Sequence, residues 1–248
     1  MTASEADASA QMALDQALAE AVWAGRRPAT LRLYHWPRPA LTIGRHQHPA
    51  DLPCPAVRRL TGGRAIFHED ELTFSVALPA GHPLIRPTVA ATYREMAAPI
   101  LHALAALGLT AARSAEATAR GDRFACFAAP TRGEAMLGAD KLMGLAQWIG
   151  PHGLLAQGSI PLTPPGTLPG AGRHAVIGLS RVLPGITPAA LERAVLDGFR
   201  ARHGVRFEAR PPGAAERRRA EHLAALCYAP IMPGDVMTGP AAGRPKKA

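Results

Sequence analysis

Three groups of residues in this chain have the types and spacing that chemistry needs. The first is Arg58-Arg59-Leu60-Thr61-Gly62-Gly63-Arg64, followed by a short apolar run that ends in His68. Paired glycines let a backbone turn through positive φ and let a ligand approach closely, and turn amides beside guanidinium groups make an anion cradle. The expected role is to hold the polar head of an activated acyl group. Arg59, Thr61, Gly62, Gly63 and Arg64 would contact it and His68 would line the pocket. A Gly-Gly hairpin with surface arginines, and a strand histidine satisfied by backbone, are the alternatives left open by the local pattern. The second group centres on Cys126, whose thiol has Arg123 before it and Lys141 after it; nearby cations favour the thiolate that attacks a carbonyl. The third is Lys141 itself, among small and apolar neighbours in residues 138–147, where a desolvated amine can polarise a carbonyl or accept a proton. Read alone, Cys126 is equally compatible with a small buried apolar residue, and Lys141 with a surface turn beside Asp140.

These groups need elements to carry them. Residues 10–24 recur in Leu14, Leu18, Ala21 and Val22 at helical spacing, with Gly25 as a stop. Residues 30–36 and 40–45 read as strands around Pro37-Arg38-Pro39, and Leu72, Phe74 and Val76 alternate with Thr73 and Ser75 as a further strand. Residues 88–107 form a long helix on a stripe of Val89, Tyr93, Met96, Ile100, Leu101 and Leu104. Short strands over 134–137, 141–147 and 154–160 suggest an antiparallel meander, and 162–172 is a Pro- and Gly-rich loop long enough to act as a flap. Residues 188–203 are an amphipathic helix closed by Gly204, residues 205–208 return to the sheet, and 216–227 form a last charged helix. The fold class expected is α+β, with mixed, largely antiparallel β-sheets flanked by helices. One catalytic domain would occupy 1–235, and a basic tail over 236–248 has no means of burying itself.

The 248 residues carry a formal charge of +9 and only 5% aromatics. Such a surface speeds encounters with acidic partners. Nucleic acid is one candidate, yet the basic residues are scattered and stacking aromatics are few, and an acidic carrier protein fits the charge equally well; the partner expected is protein, with no nucleic acid. Cys54, Cys126 and Cys227 show neither a disulfide framework nor zinc spacing, which points to a reducing cytosol and to no metal. Cys54 and Cys227 read as small buried apolar residues. The start of the chain has no basic and apolar signal pattern, and no long uncharged apolar run follows, so a soluble cytoplasmic protein without membrane contact is expected.

Several runs, taken in order, resemble a known family. They are Met12-Ala13-Leu14-Asp15-Gln16-Ala17-Leu18, Leu31-Arg32-Leu33-Tyr34 with Trp36, Pro39-Ala40-Leu41-Thr42-Ile43-Gly44-Arg45, the Arg58–His68 stretch, Lys141-Leu142-Met143-Gly144 with Ala146-Gln147, and Gly158-Ser159-Ile160-Pro161-Leu162. They are similar to the lipoate-protein ligase and octanoyltransferase family, over most of residues 10–162. The resemblance implies a biotin/lipoate protein ligase-like catalytic domain. Arg59–Ala65 with Glu71-Leu72-Thr73-Phe74-Ser75, and Cys126-Phe127-Ala128-Ala129-Pro130, look most like the cysteine-dependent octanoyltransferases. That version implies Cys126 and Lys141 as catalytic residues, with Gly144, Gln147 and Gly158 joining the loop residues in substrate binding. It implies octanoyl-acyl carrier protein as donor, a lipoyl-domain acceptor such as the glycine-cleavage H protein or a dehydrogenase E2 subunit, no cofactor, and action as a monomer. The alternative within the family is an ATP-dependent lipoate ligase, which uses ATP and Mg and has no need of Cys126. The chain departs from the family pattern at Leu145, where serine is usual, and at Gln157, where histidine is common.

Overall fold

The structure, a computed structural model, describes residues 8–48, 52, 54–110, 112–113, 135–138, 140–164, 177–232 and 234. In chain order the elements are α1 (Ala8–Trp23), β1 (Thr30–Tyr34), β2 (Ala40–Ile43), β3 (Ala56–Arg58), β4 (Ile66–His68), β5 (Glu71–Pro79), α2 (Val89–Ala106), β6 (Ala112–Arg113), β7 (Ala135–Leu137), β8 (Asp140–Lys141), β9 (Gly144–Gly150), β10 (Gly153–Pro161), α3 (Pro188–His203) and α4 (Ala214–Cys227). The mixed, mainly antiparallel sheets and flanking helices are those of an α+β fold. Among the described residues, no helix is long and apolar enough to cross a membrane.

The main sheet has the order β1-β5-β10-β9, antiparallel throughout. Side chains alternate across a strand, so each face is a set of cross-strand rows. On one face, Tyr34, Thr73, Ser159 and Gly144 form one row, and Arg32, Ser75, Gln157 and Ala146 the next. This face is covered by α1, which packs Ala19 and Val22 against Ala77 and Leu155. On its other side α1 packs Met12, Ala13 and Ala17 near Ala220 and Leu223 of α4. The opposite face carries Leu72, Phe74, Val76, Leu154, Ala156 and Ile160 into the largest core, shared with Met96, Ile100 and Leu104 of α2 and Leu191, Val195 and Phe199 of α3. The two helices approach closely at Gly198, where an added Cβ would meet the Pro99 carbonyl oxygen at 2.2 Å. Two small sheets complete the fold: β3-β2-β4, with β2 parallel to β3 and antiparallel to β4, and the antiparallel β6-β7-β8.

Local chemistry explains the helix ends. Thr88 and Thr187 accept hydrogen bonds from Ala91 and Ala190 amides at the starts of α2 and α3, and Gly204 ends α3 at φ +65°, a conformation that costs glycine nothing.

Strand β5 is buried from Glu71 through Leu78; Ser75 donates to Asp15 of α1, and Thr73 bonds Glu71 and Trp36. Four expectations need correction. Val89 is 66% exposed rather than part of the α2 stripe, because it is the first helical residue and lies outside the contact with α3. Residues 205–208 form no strand; Phe207 instead packs its edge on Phe199 with ring centroids 6.4 Å apart. Cys227 is exposed and Cys54 half-buried, since Tyr228 rather than Cys227 fills the last place against α1. The strand expected over 141–147 is split: Lys141 pairs with Met136 in a hairpin, the fully buried Leu142 and Met143 follow, and β9 begins at Gly144. The tail over 236–248 and residues 165–172 of the 162–172 loop lie outside the described residues.

Candidate functional site

The glycine loop between β3 and β4 is held by its own arginines. Arg59 turns inward, almost fully buried, and donates through NH2 to the carbonyls of Gly62 (3.0 Å) and Arg64 (2.9 Å). A trans peptide sets each carbonyl opposite the following amide, so the N–H groups of Gly63 and Ala65 point away from the guanidinium. Arg58 pins the preceding turn instead, donating to the carbonyls of Gly44, Arg45 and Gln47, and its own burial lowers its pKa. The two segments touch at Gly44, where a Cβ would lie 1.9 Å from the Gly63 carbonyl oxygen. Gly63, at φ +83°, is a position that favours glycine, whereas Gly62 has open space around it. The hairpin alternative therefore does not describe this segment: it bridges two strands of the β3-β2-β4 sheet and leans on Ala146 of β9.

Two chains of hydrogen bonds run from this loop to buried carboxylates. In the first, Thr61 donates to Gln157 Oε1 (2.7 Å), and Gln157 Nε2 donates to Asp15 Oδ2 (2.7 Å). Asp15, fully enclosed on α1, also accepts from Ser75 (2.7 Å), Tyr34 (3.0 Å) and Arg32 (2.6 Å). A buried charge is tolerable when it is paired and bonded in this way. Burial, then the Asp15 charge, push the Tyr34 phenol well above its usual pKa, so it stays a donor.

The second chain runs from Arg59 to Glu71. Arg59 NH1 can only donate, and does so to Thr42 Oγ1 at 2.8 Å. Thr42 Oγ1 lies 2.6 Å from His68 Nε2, and His68 Nδ1 lies 2.7 Å from Glu71 Oε1. Glu71 as a carboxylate can only accept, so His68 donates to it from Nδ1. Trp36 stacks on the ring at 4.0 Å and donates to Thr73, which donates in turn to Glu71. Burial would raise the Glu71 carboxyl, but attraction and hydrogen bonding from His68, with Thr73 and Ser159 adding to them, hold it below its ordinary value. Ser159 lies close enough to contribute, although its buried hydroxyl completes no hydrogen bond of ordinary geometry. Between the two chains is a cavity of about 20 Å³, room for one water-sized group, lined by Tyr34, Arg59, His68, Thr73, Gln157 and Ser159 among others.

The structure thus brings Arg59, Thr61, Gly62, Gly63 and His68 together, with Arg64 contributing its carbonyl. Gly144 lies in the same row as Ser159 on the α1 face. Gly158 lines the cavity with its backbone, and its missing side chain makes room for the Phe74 ring, which a Cβ would meet at 2.2 Å. Gln147 is not brought to the loop: it points to the other face of β9 and donates to the Val89 carbonyl at 2.6 Å. Lys141 is 2% exposed, so the surface-turn alternative does not apply to it. Cys126 lies outside the described residues. Asp15, Thr42, Glu71, Gln157 and Ser159 were not singled out as site residues by sequence reasoning. A signal existed for Asp15, a lone acid between Met12, Ala13, Ala17 and Leu18, and for Glu71, three residues after His68.

Comparison with known proteins agrees with this architecture. Residues 7–167 match the family described as the lipoyl protein ligase A/B catalytic domain. The chain is 36% identical over 167 residues to octanoyltransferase LipM of Oceanobacillus iheyensis, covering 63% of this chain and 61% of that protein. It is 38% identical over 177 residues to octanoyltransferase LipM of Moorella thermoacetica, covering 63% and 62%. The chain therefore spans about three fifths of the length of these curated relatives. Among solved structures, a lipoate-protein ligase A bound with ATP superposes with a TM-score of 0.71 at 20% identity, over 89% of this chain and 90% of that one. A bipartite lipoate protein ligase from Thermoplasma acidophilum gives 0.68 at 19% identity, over 88% of each. At such identities these two show a shared fold. With most of its length, including the anchored glycine loop and Lys141, inside the family match, the chain belongs to the lipoyl protein ligase A/B catalytic domain family.

Proposed function

We propose that the chain is an octanoyl-[acyl carrier protein]:protein N-octanoyltransferase. The Cys126 thiolate attacks the octanoyl thioester carbonyl and expels the carrier's sulfur as a thiolate, leaving an acyl-cysteine. The amine of an acceptor lysine then attacks that thioester, an amide forms, the Cys126 sulfur leaves, and the amine's proton passes to a base. Lys141 polarises the acyl carbonyl and assists that proton transfer. Arg59, Thr61, Gly62, Gly63 and Arg64 form the wall that receives the polar head of the acyl group, beside His68, Gly144 and Gly158.

The observation that supports the reading is that one chain holds both this pinned loop and a lysine out of bulk water, and that its relatives at 36% and 38% identity are named octanoyltransferases. The acceptor is a lipoyl domain, such as the glycine-cleavage H protein or a dehydrogenase E2 subunit, and the reaction needs neither ATP nor metal. The surface charge of +9 suits acidic substrates.

The test is incubation with octanoyl-acyl carrier protein, without ATP, followed by intact mass measurement. An octanoyl adduct on the wild type that is lost in Cys126→Ser supports transfer. No adduct, together with ATP-dependent lipoylation that survives Cys126→Ser, sinks the reading in favour of a lipoate ligase.

A further inference from the structure

We propose that Thr42 and His68 are positioning residues, which carry the fixed charge of Glu71 to Arg59 and so hold the glycine loop in its acyl-receiving shape. The proposal rests on the transfer reading only for the activity it affects; its structural content is independent of it.

Arg59 sets the loop by binding two of its carbonyls through NH2, while NH1 is occupied by Thr42 at 2.8 Å. The direction of the guanidinium plane therefore depends on where Thr42 Oγ1 sits. Thr42 in turn is fixed by His68 at 2.6 Å, and His68 by Glu71 at 2.7 Å and by the Trp36 stack. All four members are buried, and the chain joins a guanidinium to a carboxylate through a hydroxyl and an imidazole. A chain of this kind in a low-dielectric interior strengthens each of its bonds. It also places part of the site's rigidity on Thr42 and Glu71, which touch no substrate in the proposed reaction. Three members of the chain lie on different strands, Thr42 on β2, His68 on β4 and Glu71 on β5, so it ties the small sheet to the main one at the loop. Movement of Arg59 would release the Gly62 and Arg64 carbonyls and turn the Gly63 and Ala65 amides from their present direction.

Thr42→Val tests this, because valine keeps the shape of threonine and removes the hydroxyl that links Arg59 to His68. The amide resonances of Gly63 and Ala65 and the ring nitrogen resonances of His68 are expected to move. Self-octanoylation is expected to slow by about tenfold to a hundredfold, the scale of a small misplacement in a reacting geometry. Thr42→Ser, which restores the hydroxyl, should return both readouts to near wild type. Glu71→Gln, altering only the far end of the chain, should shift the same amides and slow the same step, and serves as the second variant should Thr42→Val not fold. Unmoved loop amides in the folded variants, or wild-type acylation rates in them, overturn the proposal. Absence of any octanoyl adduct on the wild type overturns the transfer reading instead, and the amide and ring resonances then decide the positioning chain on their own.

Discussion

Thr61 and Gln157, 96 residues apart in the chain, share a 2.7 Å hydrogen bond beneath the glycine loop. Gln157 is saturated at both ends: its oxygen takes the Thr61 proton and its nitrogen serves Asp15. Gln157→Leu would strand a buried hydroxyl and remove one of the donors around a buried carboxylate. The cost expected is about 2–3 kcal/mol, since an unsatisfied buried group loses its full desolvation energy. Thermal unfolding should fall by about 5–10 °C for a domain of this size. An unchanged midpoint would show that the pair contributes nothing.

Neighbouring glycines should respond differently to alanine. Gly44→Ala places a methyl 1.9 Å from the Gly63 carbonyl oxygen, an overlap with backbone that cannot be relieved by rotating a side chain. Gly62→Ala meets nothing within 4 Å and needs no positive φ. The first change should cost about 1–3 kcal/mol, as overpacking does, and disturb the loop. The second should leave stability within about 0.5 kcal/mol. Equal melting temperatures for the two variants would contradict the close approach of the segments.

Glu71 gives stability a defined pH dependence. Its folded pKa lies below the ordinary 4.5, so as pH falls the unfolded chain takes up a proton first and the folded state loses ground. The contribution is fully present above 4.5 and disappears as pH drops through the lower folded value. Urea unfolding of Glu71→Gln between pH 6 and pH 3 should therefore show a shallower decline than the wild type. Parallel curves for the two proteins would mean that Glu71 is not held ionised by its surroundings.

Association should weaken with salt if the substrates are acidic. At about 0.15 M ionic strength the screening length is about 8 Å, and a surface of +9 loses much of its long-range attraction above that. Raising the salt from about 0.05 to 0.5 M should increase the KM for the carrier protein with a smaller change in kcat. A KM independent of salt would remove electrostatic steering from the account.

The legible parts of this chain were those in which one repeating pattern met one environment. Met96, Ile100 and Leu104 recur every four residues and all enter the same core, and Thr187, Pro188 and Gly204 mark the ends of α3 by chemistry internal to the segment. The surroundings of Thr73 and Ser75 were not legible, for a physical reason. Alternation announces two different faces but not what each one meets, and here the polar face meets a helix carrying Asp15 instead of water. The glycine loop and its arginines stood out in the sequence, and so did their association with His68. The inward turn of Arg59 could not be seen, because it depends on Thr42 and on carbonyls whose directions are set by the folded loop. Thr42 itself gave no signal: a threonine between two apolar strand residues is ordinary until its neighbours across the sheet are known.

Strand β5 places Glu71, Thr73 and Ser75 on one face and Leu72, Phe74 and Val76 on the other, with no exposed residue before its end. A slip of one position in its pairing would exchange the two sets, pushing a carboxylate into the α2–α3 core and a phenyl ring against Asp15. Neither could be tolerated without losing most of the stability of the domain. The strand therefore acts as a built-in check on assembly: a molecule that has folded to a stable state has, by the same alignment, already built the polar wall of its site.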